Sequence, residues 1–279
     1  MAKIDAHQHF WWVANRAHTW PESVGTKMDR DFTPDDLRPE LARAGVDGTV
    51  LVQSLNDIDE CREYLVLARD NAIIRGVVGW IPLTARAVAE RALAALPERH
   101  RLVGIRHLIS YEPDPDWLLQ PGVVDSLALL AEEGLAYDAV PMNFRQLETV
   151  FAVARRLPEL KIVINHLLRP PIPDQGWEPW AAIVTQAAAL PNMFLKLSPG
   201  VDLLTRWHWS TPMAARYFDH LLGRFGPGRL MAASNWPVVL INATFGEVWD
   251  GIATLVSGLS KDEQSAVLGG TAERIYGLR

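Results

Sequence analysis

The 279-residue sequence has one cysteine, no cluster of basic residues and no apolar run long enough to cross a bilayer. The lone Cys61 excludes an internal disulfide framework and is typical of a reducing compartment. A net charge of −6 argues against nucleic acid or an anionic membrane surface as the main partner. Nothing near the N-terminus resembles a signal peptide. We therefore expect a soluble, cytoplasmic protein.

Apolar runs typical of strands alternate with segments of helical periodicity along the whole chain. The predicted strands are Lys3–His9, Gly48–Gln53, Ile73–Trp80, Leu102–Arg106, Leu135–Val140, Lys161–His166, Met193–Ser198 and Arg229–Ser234. The predicted helices are Asp35–Ala44, Ile58–Ala72, Ala85–Leu96, Val123–Glu133, Phe144–Arg156, Glu178–Ala189, Met213–Phe225, Gly246–Leu255 and Lys261–Tyr276. This alternation predicts one (β/α)8 barrel domain over residues 1–279. An open doubly wound sheet would favour a glycine-rich phosphate turn after the first strand, which is absent.

The first predicted strand carries two histidines, His7 and His9, two residues apart. Residues at i and i+2 of a strand point to the same face, so the two imidazoles are expected side by side. Such a pair suits a divalent metal ion or the stabilisation of an oxyanion.

Further ionisable or aromatic residues stand at the ends of later predicted strands, where barrel enzymes place their active sites. Singly, each has an ordinary explanation, such as a surface ion pair, a solvated strand end or a core histidine. Their coincidence at successive strand ends favours a functional site. The fifth strand contributes either Tyr137 or Asp138, because neighbouring residues cannot both face inward. The remaining candidates are Arg106, His166, Lys196, Asn235, Trp236 and the pair Trp207 and His208.

Several motifs, in order along the chain, carry a family resemblance. They are Ile4-Asp5-Ala6-His7-Gln8-His9-Phe10-Trp11, Gly104-Ile105-Arg106-His107, Val163-Ile164-Asn165-His166-Leu167, Gly176-Trp177-Glu178-Pro179-Trp180, Lys196-Leu197-Ser198, the segment from Phe225 to Pro237 and Gly269-Gly270-Thr271-Ala272. The chain resembles the amidohydrolase superfamily, in particular the amidohydrolase-related branch that contains sugar lactonases and 2-pyrone-4,6-dicarboxylate lactonase. The resemblance implies a distorted (β/α)8 barrel that hydrolyses a small cyclic ester.

The chain departs from the family pattern at the eighth strand, where Ser234-Asn235-Trp236-Pro237 replaces Ser-Asp-Trp-Pro. The resemblance implies an aspartate there as general base, and an amide has no useful basicity. Three explanations are open. The chain is an engineered Asp→Asn variant that holds substrate, a natural relative whose base is Asp138, Asp202 or a histidine, or a non-catalytic protein that binds a ligand.

The resemblance also implies roles for the candidate residues. Water near Asn235 would attack the ester carbonyl, with His7, His9, His166 and Arg106 around the carbonyl oxygen. His7, His9, His166 and Asn235 would bind one Zn²⁺ or Mn²⁺ ion, held weakly or not at all without the aspartate. Arg106 and Lys196 would bind substrate, while Tyr137, Trp207, His208 and Trp236 would surround its ring.

Two other function classes compete with a lactonase: a metal-dependent decarboxylase of a small acid, and a ligand-binding protein. The Gly-Trp-Glu-Pro-Trp segment and the Ser-x-Trp-Pro ending favour the lactonase. The sequence leaves open which lactone is used and whether the eleven tryptophans include a homo-oligomer contact.

Overall fold

The computed structural model describes residues 2–278. Eight parallel strands follow one another in sheet order β1 to β8. The first and last strands also meet, because Ala6 N donates to Ala232 O at 3.0 Å and Asn235 N donates to His7 O at 2.9 Å. The sheet therefore closes on itself, and the predicted barrel is confirmed. The strands are β1 Ile4–Gln8, β2 Gly48–Val52, β3 Ile74–Gly79, β4 Leu102–Arg106, β5 Ala136–Ala139, β6 Ile162–Ile164, β7 Met193–Lys196 and β8 Leu230–Met231.

Helices connect the strands and cover the outside of the barrel. Several begin where a side chain satisfies free backbone N–H groups: the Asp57 carboxylate accepts from Asp59 N at 2.7 Å, and Thr244 and Glu247 form a capping box. The helices are α1 Pro34–Ala44, α2 Ile58–Asp70, α3 Arg86–Ala94, α4 Pro121–Glu132, α5 Phe144–Arg156, α6 Trp180–Ala188, α7 Val201–Leu204, α8 Thr211–Phe225, α9 Phe245–Leu255, α10 Lys261–Ser265 and α11 Thr271–Tyr276.

The core has two layers, one inside the barrel and one between strands and helices. The inner layer takes an apolar residue from every strand, from Ile4 on β1 to Met231 on β8, and includes Ile275 and Tyr276 of α11. The outer layer joins the opposite strand faces to the helices. Because side chains alternate along a strand, this arrangement decides which residues point toward the barrel interior.

The C-terminal region differs from the single predicted helix Lys261–Tyr276. A π-helical segment, Ala266–Gly270, separates α10 from α11. Here Val267 O accepts from Ala232 N at 2.8 Å, and a Cβ on Gly269 would lie 1.9 Å from Ala2 O. The distortion therefore fits this segment against the barrel. No helix within residues 2–278 has the length and apolarity needed to cross a membrane.

Strands β6 and β8 are shorter than predicted, and beyond the C-terminal end of each the chain turns out of the sheet. The residues from His166 to Arg169 have positive φ, and so does Asn235. These turns occur where β6 and β8 deliver His166 and Asn235.

Candidate active site

A cavity of about 280 Å³ lies at the C-terminal ends of the strands. This is the end at which barrel enzymes bind substrate, and the volume is near the lower end for ligand pockets, roughly 300–1,000 Å³. The predicted residues His9, Arg106, His166 and Asn235 all line it. The other lining residues are Trp11, His18, Thr19, Trp20, Pro21, Ser54, Leu55, Leu108, Ser110, Tyr111, Val140, Met142, Arg169, Val201, Asp202 and Val238.

His7 and His9 lie side by side, with their Nε2 atoms 3.1 Å apart. His9 Nδ1 donates to Val52 O at 2.7 Å, so its Nε2 carries the lone pair. His7 lies below, and its Nδ1 is 3.4 Å from Lys196 Nζ. Burial, together with the nearby cations, lowers the pKa of both imidazoles well below 6.5. Both are therefore neutral at neutral pH.

His166 lies beside this pair, with its ring centroid 4.8 Å from that of His7. Its Nδ1 is 3.0 Å from Ser198 Oγ at the end of β7. Burial, then the charge of Arg106, lowers the pKa of His166 well below 6.5. The cavity therefore has a third neutral imidazole.

Arg106 is the positive group at the buried end of the cavity. Its side chain is almost fully buried, and its Nη1 is 3.5 Å from His7 Nε2. Its Nη2 donates to Gln53 O, and Gln53 Nε2 donates back to Arg106 O at 2.9 Å. Burial lowers the pKa of Arg106 to about 10, so the guanidinium stays charged at neutral pH.

Asn235 is fixed by its backbone and by its side-chain NH2 group. Its N–H donates to His7 O at 2.9 Å, and its Nδ2 donates to Pro199 O at 2.8 Å. A φ of 58° is one that asparagine tolerates better than most residues. Its Oδ1 is buried and has no partner within the described residues. A cavity-lining residue thus keeps a free hydrogen-bond acceptor.

Lys196 does not line the cavity, which corrects its predicted role as a substrate ligand. The side chain is fully buried inside the barrel, and Nζ lies 2.6 Å from Asp138 Oδ2. Asp138 also accepts from Tyr276 OH at 2.7 Å and Asn165 Nδ2 at 3.1 Å. The ammonium group is therefore held by a buried carboxylate below the site, and the same contacts occupy Asp138.

Tyr137 and Trp236 do not line the cavity either, so their predicted contact with the substrate ring is wrong. Tyr137 belongs to the outer core layer, because Asp138 is the residue of that strand that faces inward. Trp236 is buried against Phe10 and Phe32, with ring centroids 5.8 and 5.5 Å away. Both side chains serve packing.

Trp207 and His208, also predicted to surround the substrate ring, lie outside the cavity as well. Trp207 packs on Trp209 with ring centroids 5.4 Å apart. His208 is exposed, with Nε2 3.6 Å from Glu247 Oε1. The backbone after α7 carries this segment away from the strand ends.

Several residues on the loops around the cavity were not predicted from the sequence as site residues. Trp11, His18 and Trp20 come from the loop after β1, where the Trp11 ring centroid lies 5.0 Å from that of His18 and 5.6 Å from that of Trp20. Ser54 Oγ is 2.7 Å from His18 Nε2. The position of tryptophans just after a strand was the available signal, but the loop conformation was not.

Two charged residues on later loops also line the cavity without having been assigned a ligand role. They are Arg169, just after β6, and Asp202 in α7, with Nη2 and Oδ2 of this ion pair 3.1 Å apart. Asp202 had been considered as an alternative general base.

The predicted metal site does not match the arrangement of these residues. A metal-bound histidine donates its second ring N–H to an acceptor, as His9 does to Val52 O. The Lys196 ammonium instead donates toward His7 Nδ1, which places the His7 proton on Nε2, the atom that would face the metal. Arg106 Nη1 lies only 3.5 Å from that same atom. Within residues 2–278, no three His, Cys, Asp or Glu side chains converge as metal ligands.

Comparison with known proteins agrees with the barrel fold. A sequence model of the family described as Amidohydrolase matches residues 4–278. The chain belongs to this amidohydrolase family. The amidohydrolase is 35% identical over 278 residues to L-fucono-1,5-lactonase of Burkholderia ambifaria, covering 98% of this chain and 95% of the relative. It is 34% identical to L-fucono-1,5-lactonase of Burkholderia multivorans, covering 99% and 96%.

The fold is also similar to that of a solved relative. A crystal structure of an amidohydrolase from Burkholderia multivorans, with bound zinc, aligns with a TM-score of 0.89 and 33% identity. The alignment covers all of both chains. The amidohydrolase therefore shares its whole architecture with this family member.

Proposed function

We propose that this amidohydrolase opens the lactone of a sugar acid by adding water to the ester carbonyl. The observation that carries the proposal is the Arg106 guanidinium, fixed by Gln53 at the buried end of a small cavity. Acyl transfer develops negative charge on the carbonyl oxygen, and a preorganised cation in a dry site stabilises that charge strongly. The full-length similarity to two L-fucono-1,5-lactonases supports a sugar-acid 1,5-lactone as the substrate class.

The carbonyl end of the substrate would contact Arg106, His9 and His166. Because the histidines are neutral, Arg106 supplies the positive charge. His166 would supply a hydrogen bond, whereas both nitrogens of His9 are engaged by Val52 O and His7, so His9 contacts the carbonyl without donating to it. His7 lies behind them, bonded to His9 and Lys196, and positions the pair. No step in this mechanism needs a metal ion.

The attacking water would bind at Asn235. Its unpartnered Oδ1 accepts a hydrogen bond from the water, while its NH2 group is already engaged with Pro199 O. An amide orients a water molecule but does not take its proton. The base therefore has to be another group.

The sugar end would lie against the loops. The rings of Trp11 and Trp20 offer an aromatic wall of the kind that packs on the C–H face of a sugar. Ser54 and His18 place hydroxyl and imidazole groups on the same side of the cavity. This combination suits a polyhydroxylated ring better than a planar, multiply charged one.

The test is acid release from a panel of aldonolactones, including L-fucono-1,5-lactone, and from 2-pyrone-4,6-dicarboxylate, each corrected for spontaneous hydrolysis. Turnover of an aldonolactone above background is the expected result. Release of CO₂ from a carboxylated substrate would instead indicate a decarboxylase. Saturable binding without turnover, in both the wild type and Asn235→Asp, would indicate a binding protein.

A further inference from the structure

The replacement of a carboxylate by Asn235 leaves open which group takes the proton of the attacking water. Among the described residues that line the cavity, one carboxylate is present, that of Asp202. The fully buried carboxylates near the barrel end are engaged elsewhere: Asp138 by Lys196, Asp5 by Ser234 and Glu60 by Ser54. Asp202 is therefore the carboxylate among the described cavity-lining residues that is available as a general base.

Asp202 lies close to His166, and the backbone just before it contacts Asn235. A Cβ added to Gly200 would lie 2.6 Å from Asp202 Oδ1 and 3.2 Å from the Cβ of His166. One residue earlier, Pro199 O accepts from Asn235 Nδ2 at 2.8 Å. The loop that carries Asp202 is therefore anchored to Asn235, and the absence of a side chain at Gly200 leaves room for the carboxylate beside His166.

The ion pair with Arg169 fixes the direction of the carboxylate. Arg169 Nη2 lies 3.1 Å from Asp202 Oδ2, which leaves Oδ1 as the oxygen next to Gly200. The Asp202 side chain is about one-third exposed. It can therefore exchange the proton it takes with solvent or with the product.

The histidines that line the cavity are poorer acceptors of this proton. His18 Nε2 is engaged with Ser54 Oγ at 2.7 Å. His9 donates through Nδ1 to Val52 O and faces His7 through Nε2, so both of its nitrogens are engaged. A proton on His166 would add a charge beside Arg106, Lys196 and Arg169, each of which lowers its pKa. A proton on Asp202 removes a negative charge and adds no new cation to this cluster.

We propose that Asp202, delivered by the loop after β7, is the general base of this lactonase and takes over the function that a strand-eight aspartate would have. The inference rests on the proposed lactone hydrolysis. Asn235 orients the water through Oδ1, and Asp202 accepts its proton.

The step balances without any further reagent. The water oxygen bonds to the carbonyl carbon, its proton passes to Asp202, and the C=O π electrons move to the oxygen beside Arg106. When the C=O bond re-forms, the bond from the carbonyl carbon to the ring oxygen breaks. The ring oxygen takes the proton back from Asp202, giving the open hydroxy acid and the free carboxylate.

The experiment compares four proteins on the best aldonolactone: wild type, Asp202→Asn, Arg169→Met and Asp202→Asn with Asn235→Asp. Loss of a general base lowers kcat by about 10²–10⁴-fold, which we expect for Asp202→Asn. Returning a carboxylate at position 235 of that variant should recover at least about 100-fold of this loss. Arg169→Met releases the carboxylate from this ion pair but keeps the base, and should lose less than Asp202→Asn.

Each outcome decides the inference. Loss in Asp202→Asn with recovery in the double variant supports it. A wild-type rate in Asp202→Asn overturns it and leaves the lactonase proposal standing, because wild-type turnover alone decides that proposal. Equal losses in Asp202→Asn and Arg169→Met, without recovery in the double variant, also overturn it, since Asp202 then only holds Arg169. The far-UV circular dichroism spectrum of Asp202→Asn should match that of the wild type, which shows that the variant is folded.

Discussion

The buried ion pair between Lys196 and Asp138 gives a sharp prediction about stability. The two side chains are fully buried and 2.6 Å apart, and Asp138 receives two further hydrogen bonds from Tyr276 and Asn165. Lys196→Met keeps most of the aliphatic chain but leaves the Asp138 carboxylate without its counter-ion. Removing one partner of a buried pair costs about 3–5 kcal/mol, so we expect this loss in the free energy of unfolding.

Urea denaturation at pH 7, followed by far-UV circular dichroism, measures the loss. Lys161→Met is the matched control, because Lys161 Nζ makes a single hydrogen bond to Ile275 O at 3.1 Å and is only partly buried. It should lose no more than about 1.5 kcal/mol. The double variant Lys196→Met with Asp138→Leu removes both charges and should recover much of the stability lost by Lys196→Met.

The reasoning is refuted if Lys196→Met unfolds within about 1 kcal/mol of the wild type, the range of an exposed ion pair. A stable variant that had lost lactone affinity would return Lys196 to the substrate site, as the sequence alone predicted.

Three other predictions concern acid stability, metal binding and Arg106. The pKa values of His7, His9 and His166 are lowered in the native protein. Below about pH 6.5 the unfolded chain therefore binds protons that the metal-free native protein does not. The free energy of unfolding should then fall as pH falls, by up to about 1.4 kcal/mol per pH unit for each histidine. Asp5, whose pKa burial raises to about 6, and Glu60, whose pKa burial also raises, oppose this trend. Urea titrations of His166→Gln should show a slope smaller by about one histidine. Chelator treatment should leave wild-type turnover unchanged, and loss of wild-type activity on chelation would contradict the assignment of the His7 proton to Nε2. Asn235→Asp should bind Zn²⁺ at least about tenfold more tightly than the wild type in calorimetry, by analogy with the effect of altered metal-site partners. Arg106→Met should lower kcat by about 10²–10³-fold, the effect of losing one oxyanion donor. Circular dichroism checks that the variant is folded. An unchanged kcat would show that Arg106 does not contact the substrate carbonyl.

The fold was predictable because strand and helix patterns alternate through the whole chain, and barrel topology then places residues at the strand ends together. His9, Arg106, His166 and Asn235 line one cavity for that reason. Because side chains alternate along a strand, the sequence also predicted that only one of Tyr137 and Asp138 faces inward, but not that Asp138 is that residue.

The errors arose where the outcome depends on loops or on buried partners. Lys196 stands at a strand end, yet its length lets Nζ reach Asp138 inside the barrel. Trp207 and His208 are carried away by the backbone after α7, while Trp11 and Trp20 fold over the cavity from the first loop. A single sequence contains no local signal for either loop path. Similarly, only the structure places Asp202 beside His166.

The most direct test of lactone opening at this site is the initial rate of acid release from L-fucono-1,5-lactone, measured for the wild type and Arg106→Met against the spontaneous rate. Our account predicts clear wild-type turnover that falls by about 10²–10³-fold in the variant. No turnover by the wild type on this or any other aldonolactone, or equal turnover by both proteins, would contradict it.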